Sequence, residues 1–449
     1  MVHKMKFCCI CLIVLAAFGC QSQSDDDIIL NINLGSIHKQ SKVRVLYQDS
    51  TYICLLDTLG KAQLTIKGQK ASGYATLFAP RSIKELYLED GKSLTVSNLK
   101  RGVWEFDGTG KQINEYLNSR FVSTLGVNAS LDEKEFISEW KKVPARIQTY
   151  LDSLSLPNDF KKIEEKRLYY LVCNMLLDYP LHHCRQLRIS SFTPTESFYA
   201  VLKDVMKEDN DVTDLWIYRQ AYKNYIATIV RRNSSGESPA QTLEHLLGKV
   251  KLIIKNTTLQ NFISSMFLDD FIQSYGIESI EKPFLKGMES LAESSRKQDL
   301  KQKYEEYSRL TQGKPAPEFC LEDIEGKMVH LSDFKGKLVY IDVWASWCRP
   351  CCNEMPFLHK IEESLKGEDV VFISVSIDQK KEDWLKKIEQ EKLRGIQLHL
   401  GKDSNFRKDY RVGQIPHFIL IDKQGNILNA NMTRPSNPKT LEMLKERLK

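Results

Sequence analysis

Two cysteines three residues apart, Cys348 and Cys351, sit inside the stretch LVYIDVWASWCRPCCNEMP, residues 338–356, where an apolar run gives way to a helical pattern. Paired thiols at this spacing pass between dithiol and disulfide, a two-electron change that needs no cofactor beyond the Cys348–Cys351 disulfide itself. Cys348 falls where the helix should begin, and Cys351 lies one turn inside it. A thiolate at a first helical turn faces unsatisfied backbone N–H groups and the positive end of the helix dipole, which favour the anion. Cys348 is therefore the candidate nucleophile, expected at the surface. Arg349 adds a positive charge beside it.

The elements that must hold this pair are readable around it. Leu338, Val339, Ile341 and Val343 form a near-continuous apolar run, the pattern of a strand buried on both faces of a partly parallel sheet. Residues 319–331 predict a hairpin turning at Glu325-Gly326, and residues 370–377 a second buried strand. A helix over 382–392, a short strand over 397–400, a short helix over 405–410 and a strand over 418–421 follow, with a turn at Gln424-Gly425. Asn437-Pro438 is a capping residue followed by a proline suited to a first helical position. Alternating strands and helices with a terminal hairpin predict a three-layer α/β sandwich.

The rest of the chain divides by composition. At 449 residues it is too long for one ordinary core. Its net charge of +6 is spread without a basic block or a stacking ladder, so nucleic acid is not an expected partner. Residues 1–19 carry Lys4 and Lys6 ahead of an apolar run of secretory h-region length, which predicts a signal peptide. The run ends AAFGC, which resembles a bacterial lipoprotein cleavage box and implies lipidation of Cys20. Ala17 departs from that pattern, and a plain signal peptide or an uncleaved anchor is the alternative. Residues 20–27 read as an acidic tether. Ser24 to Asp27 resembles the acidic tract that sends some lipoproteins to the cell surface.

Residues 28–108 alternate short β-branched runs with glycines and predict an all-β module. It resembles the β-sandwich that precedes redox domains in many envelope lipoproteins. Residues 109–310 carry apolar positions at helical spacing and predict an all-α middle domain. Residues 311–318, TQGKPAPE, read as an extended linker, because Pro315 and Pro317 cannot continue a helix. Of the eleven cysteines, four lie in or at the end of the leader. Cys54, Cys173, Cys184 and Cys320 are scattered and read as apolar fillers, with Cys173 and Cys184 an open candidate for a bridge. His182, His183 and Cys184 follow Pro180 in an expected loop, but they lack the second ligand pair of a closed site, and no metal is assigned.

GKPAPEF, DVWASWCRPC, the continuation Asn353-Glu354-Met355-Pro356 and the later GQIPHFILID together resemble a thioredoxin-fold oxidoreductase of the TlpA/ResA type, over residues 313–449. That resemblance implies a thiol:disulfide oxidoreductase with fold C-terminal to the sandwich and helical domains, residues 319–449. It implies that Cys348 attacks a substrate disulfide and Cys351 resolves the mixed disulfide, and that Asp342 is the buried carboxylate moving the proton of the resolving thiol. Glu354 corresponds to a glutamate by the site, with an ordinary exposed helix residue as its alternative. Trp347, Arg349 and Pro350 become the substrate surface beside the pair, and Ile415 and Pro416 the substrate edge, with Pro416 in the cis form. The departure is Cys352, where the family carries a polar or basic residue; it reads as a packed thiol.

Together with the lipobox-like leader and the acidic tract, the expectation is a tethered envelope protein, periplasm-facing or at the cell surface. Its expected partners are disulfides of envelope proteins and a membrane electron donor of the DsbD/CcdA kind. Cytochrome c maturation is a narrower version. Three alternatives stay open: a binding lipoprotein with an accessory redox domain; a peroxiredoxin, which would need a threonine where Ala345 stands; and a copper chaperone using Cys348, Cys351 and His417.

Overall fold

A computed structural model describes residues 26–48, 50–67, 72–80, 82–100, 102–234, 236–401 and 405–449. The expected signal peptide, Cys20 and most of the acidic tether lie outside the described residues. The described residues form two compact units, divided between Asn224 and Tyr225.

The first unit opens with eight strands: β1 (Ile28–Asn33), β2 (Lys42–Tyr47), β3 (Ser50–Leu55), β4 (Lys61–Ile66), β5 (Gly73–Ala79), β6 (Ser82–Leu88), β7 (Ser93–Lys100) and β8 (Val103–Gly108). They make two four-stranded sheets, β4-β1-β7-β8 and β3-β2-β5-β6. Alternate residues point inward, so Ile28, Leu30 and Ile32 of β1 meet Val43, Val45, Leu77 and Leu86 in one core. This is the expected sandwich. Helices α1 (Lys111–Leu117), α2 (Glu133–Trp140), α3 (Val143–Asp152), α4 (Asn158–Leu187), α5 (Glu196–Val205) and α6 (Trp216–Asn233) follow, the unit boundary falling within α6. Glu164 of α4 is fully buried and accepts hydrogen bonds from Tyr74, Tyr116 and Arg167, tying strand β5 to α1 and α4.

One expectation and one open candidate fail on α4. Pro180 lies inside the helix, so His182, His183 and Cys184 are helical residues and not a loop. His183 is buried and bonds the Ala129 carbonyl through Nδ1 at 2.8 Å. Cys173 and Cys184 are free thiols on this one helix, and a rise of ~1.5 Å per residue separates them by about 16 Å, far beyond bridging distance.

The second unit begins with the end of α6 and helices α7 (Pro239–Ile253), α8 (Thr257–Tyr275), α9 (Glu281–Ser290) and α10 (Ser295–Ser308). A sheet of β9 (Cys320–Asp323), β10 (Met328–His330), β11 (Leu338–Trp344), β12 (Val370–Ser376), β13 (Ile396–His399), β14 (His417–Ile421) and β15 (Ile427–Asn429) follows, interleaved with α11 (Arg349–Ser364), α12 (Lys381–Glu391), α13 (Phe406–Asp409) and α14 (Pro438–Leu448). The strand order is β10-β9-β13-β12-β11-β14-β15. β11, β12 and β13 run parallel, and β14 pairs antiparallel with β11.

Period-two alternation splits β11 between two cores. Val339, Ile341 and Val343 pack with Ile373, Val375, Ile419 and Ile421 on one face. Leu338 and Tyr340 pack with Leu358 and Ile361 of α11 and Leu444 of α14 on the other. Asp342 has the same parity as Tyr340 and so belongs to the α11 face.

The expected extended linker over 311–318 is only partly so: residues 311–314 make a turn, in which Lys314 N–H donates to Thr311 O at 3.1 Å, and Pro315 then bridges Asn426, so the stretch is not slack. Gly313 N–H donates to Ile427 O at 2.8 Å, Ile427 N–H to Lys314 O at 2.8 Å and Ala316 N–H to Gly425 O at 2.9 Å, so the stretch lines the outer side of β15. Arg411 pairs with Glu306 of α10 at 2.7 Å.

Candidate active site

Cys348 is the N-cap of α11 and Pro350 follows in the first turn, where a missing N–H costs nothing. The two thiols form a disulfide with Cα atoms 5.3 Å apart. Cys351 N–H donates to Cys348 Sγ at 3.2 Å, so one of the orphan donors of the helix N-terminus faces the candidate nucleophile. The expectation of an exposed Cys348 is corrected: it is 4 % exposed and Cys351 3 %. Both lie in an apolar cluster with Trp344, Ala345, Met355 and Trp384, against which Cys352 and Ile415 also pack. The exposed partner of the pair is Trp347, at 67 %, with Arg349 and Pro350 exposed beside it.

Ile415-Pro416 is a cis peptide leading into β14, whose His417 is in register with Val343. Ile415 joins the cysteine cluster, so two regions far apart in sequence meet at one site. Burial pushes the His417 imidazole down to about 4, a hydrogen bond with the Ala430 backbone only partly opposing it. Among the described residues, no group of three or more His, Cys, Asp or Glu is placed to hold a metal ion.

Asp342 is buried, and its carboxyl is pushed up to about 8, first by burial and then by the charges of Glu354 and Glu362. Titration near neutrality lets such a group both take and return a proton. Glu354 is not the exposed residue of the alternative reading. It is buried and accepts hydrogen bonds from Ser436 N–H at 2.9 Å and Ser436 Oγ at 3.0 Å, with Arg434 Nη1 at 3.8 Å. Glu362, about two turns further along α11, is pushed up to about 7 by burial, against the opposing charge of Arg394.

Glu362, Ser436 and a polar group around Asp378 escaped the sequence reading. Asp378 ends the run SVSID after β12 and accepts from Ser346, two residues before Cys348. A signal existed: β11, β12 and β13 are parallel, their carboxyl ends share one edge, and polar residues at those ends gather where sites form.

Cys352 is a half-buried free thiol whose S–H points at Ser346 O, 4.0 Å away. It is packed, as expected, and outside the disulfide. The arrangement as a whole is that of a thioredoxin-fold dithiol enzyme: a helix-capping cysteine, a second cysteine disulfide-bonded to it one turn into the helix, a buried carboxyl on the neighbouring strand and a cis-proline. Comparison with known proteins gives the family. Residues 312–430 match the AhpC/TSA family. The thiol-disulfide oxidoreductase ResA of Bacillus thuringiensis subsp. konkukian is 34% identical over 137 residues, 30% of this chain and 76% of that protein. ResA of Geobacillus kaustophilus is 30% identical over 145 residues, 32% of this chain and 83% of that one. A solved thiol-disulfide oxidoreductase from Bacteroides vulgatus is 39% identical, covering 31% of this chain and 99% of its own, with a TM-score of 0.30. Through its C-terminal domain the chain belongs to the ResA family of thiol-disulfide oxidoreductases.

Proposed function

We propose that the chain is a membrane-tethered reductase of disulfides in cell-envelope proteins. The observation that carries the reading is the Cys348–Cys351 pair at the N-terminus of α11, with the raised carboxyl of Asp342 on the strand face toward that helix. In the reduced state the Cys348 thiolate attacks a substrate disulfide; an enzyme–substrate S–S bond forms and the first substrate thiolate leaves. Cys351 gives its proton to Asp342 and attacks Cys348 Sγ. The mixed disulfide breaks, the second substrate thiolate leaves, and the enzyme disulfide closes. Two electrons have moved from enzyme to substrate.

An extended substrate segment would lie along Ile415-Pro416, with Trp347, Arg349 and Pro350 on the other side of the sulfur. An oxidising envelope supplies no electrons to a dithiol, so re-reduction calls for a membrane donor of the DsbD/CcdA kind. The lipobox-like AAFGC ending at Cys20 supports tethering through lipid, and no described helix is long and apolar enough to cross a membrane. Haem-attachment cysteines are one substrate class within this reading.

The full chain should accelerate dithiothreitol-driven reduction of insulin, and Cys351→Ser should accumulate mixed disulfides through Cys348. Absence of both thiol exchange and a measurable dithiol potential would overturn the reading. Trapping with the Cys351→Ser chain in cells names the substrates.

A further inference from the structure

The turn between β11 and α11 is stitched to the end of β12 by one carboxylate. Asp378 is 5 % exposed. Its Oδ2 accepts from Ser346 N–H at 2.8 Å and from Ser376 Oγ at 2.8 Å, and its Oδ1 accepts from Ser346 Oγ at 2.7 Å. The backbone of Asp378 is held as well. Its N–H donates to Ser376 Oγ at 3.1 Å, and its carbonyl accepts from His399 Nε2 at 2.9 Å. His399 is in register with Ser376 across β12 and β13, and its ring lies 5.1 Å from that of the fully buried Trp384.

Each contact leads toward the sulfur. Ile377 N–H donates to Trp344 O at 2.9 Å, Ser346 is held by Asp378, and Cys348 N–H closes the turn on Ala345 O at 3.0 Å. The turn therefore has little freedom between a buried strand and the first residue of α11. A carboxylate at this depth is costly unless its lone pairs are used, and here three side-chain and backbone donors use them.

We propose that Asp378 is a positioning residue for thiol exchange: braced by Ser376 and His399, it fixes Ser346 and so sets the direction from which Cys348 Sγ meets a substrate disulfide. Asp378 touches neither sulfur nor substrate; it acts through Ser346. The benefit is orientation, since the Cys351 N–H and the helix N-terminus support a thiolate on Cys348 only while the turn keeps the sulfur in line with them.

The proposal rests on the oxidoreductase reading, and the experiment separates the two. Full-length wild type, Asp378→Ala, Asp378→Asn and Ser346→Ala are compared in insulin reduction and in redox equilibrium with a reference dithiol. Asp378→Ala should lower kcat about tenfold with KM within about twofold, because the exposed surface around Trp347 is untouched. Its equilibrium should shift about tenfold toward the disulfide, about 30 mV. Asp378→Asn keeps an acceptor for Ser346 and a group that can face Ser376, and should retain kcat within about threefold. Wild-type turnover with all three variants matching it would remove the positioning role and leave the oxidoreductase standing. An Asp378→Asn chain as impaired as Asp378→Ala would also overturn the proposal, since charge and not orientation would then be at work. Should Asp378→Ala not fold, Ser346→Ala decides: a fall in kcat with unchanged KM supports the clamp, and unchanged kcat and potential sink it.

Discussion

Glu354 accepts two hydrogen bonds from Ser436, one from its N–H at 2.9 Å and one from its Oγ at 3.0 Å, and so the strap between β15 and α14 grips the helix that carries the cysteines. The same carboxylate is the leading charge that, after burial, raises Asp342. Glu354→Gln keeps a hydrogen-bonding group and removes that charge. The Asp342 titration should move down from about 8 by up to about one unit, equivalent to ~1.4 kcal/mol. Carboxyl NMR of the oxidised protein across pH 5 to 9 reads the midpoint, and an unmoved midpoint would show that the Glu354 charge does not raise it.

Asp342→Asn should slow resolution of the mixed disulfide by about 10²-fold, the lower range of general acid–base assistance. Single-turnover quench experiments should then show a long-lived enzyme–substrate disulfide where the wild type shows none. Equal decay in both chains would exclude Asp342 as the proton acceptor.

Asp342 also ties stability to pH. Its folded value is about 8 against an ordinary 3.8, so between those values the folded protein holds a proton that the unfolded chain has released. This group's contribution is therefore full below about pH 4 and is lost as pH rises through 8. Glu362, pushed up to about 7, acts in the same direction. Urea midpoints of the oxidised protein at pH 5 and pH 8 should differ less in Asp342→Asn than in wild type, with Glu362 leaving a residual slope.

His417 works with the opposite sign. Its folded value is about 4 against 6.5, so the unfolded chain takes a proton first as pH falls. The stability it supports is present above about pH 6.5 and lost on descending through 4. His417→Gln should shrink the difference between midpoints measured at pH 7 and pH 4.5; an unchanged difference would mean the ring is not the titrating group.

The free thiols should label in an order set by burial. Cys320 is exposed, whereas burial pushes Cys54 up to about 11 and Cys173 up to about 12. Maleimide labelling of the oxidised chain, followed by peptide mass spectrometry, should modify Cys320 first and Cys173 last among the described free thiols. Cys352→Ser should keep insulin reduction within about twofold, because its thiol lies outside the exchanging pair.

How much of this was readable in one dimension depends on where the partners lie. Cys348, Cys351 and the strand ahead of them could be read because apolar run, cap and first turn are contiguous, and local rules act over a few residues. The hairpin at Glu325-Gly326 was readable for the same reason: Asp323 Oδ1 accepts from Glu325 N–H and Lys327 N–H, both at 2.9 Å. Asp378 and Ser436 were not, since their partners lie 32 and 82 residues away. Nothing near Ser436 announces a carboxylate. The burial of Cys348 was missed because a helix N-terminus suggests exposure, while Trp344, Trp384 and Met355 close around the sulfur from three separate elements. Pro180 misled in the other direction, since a proline was read as an end where tertiary packing carried the helix on.

The pairing of residues 313–316 with β15 bears on how the protein can be cut. A protease seeking the glycine and prolines of TQGKPAPE would meet backbone already committed to Gly425 and Ile427. Severing the chain there would also strip an edge from the redox sheet. Nicking and truncation that spare the enzyme should therefore fall elsewhere, and fragments begun after Ala316 should start life with an open strand, prone to adding a neighbour's backbone in its place.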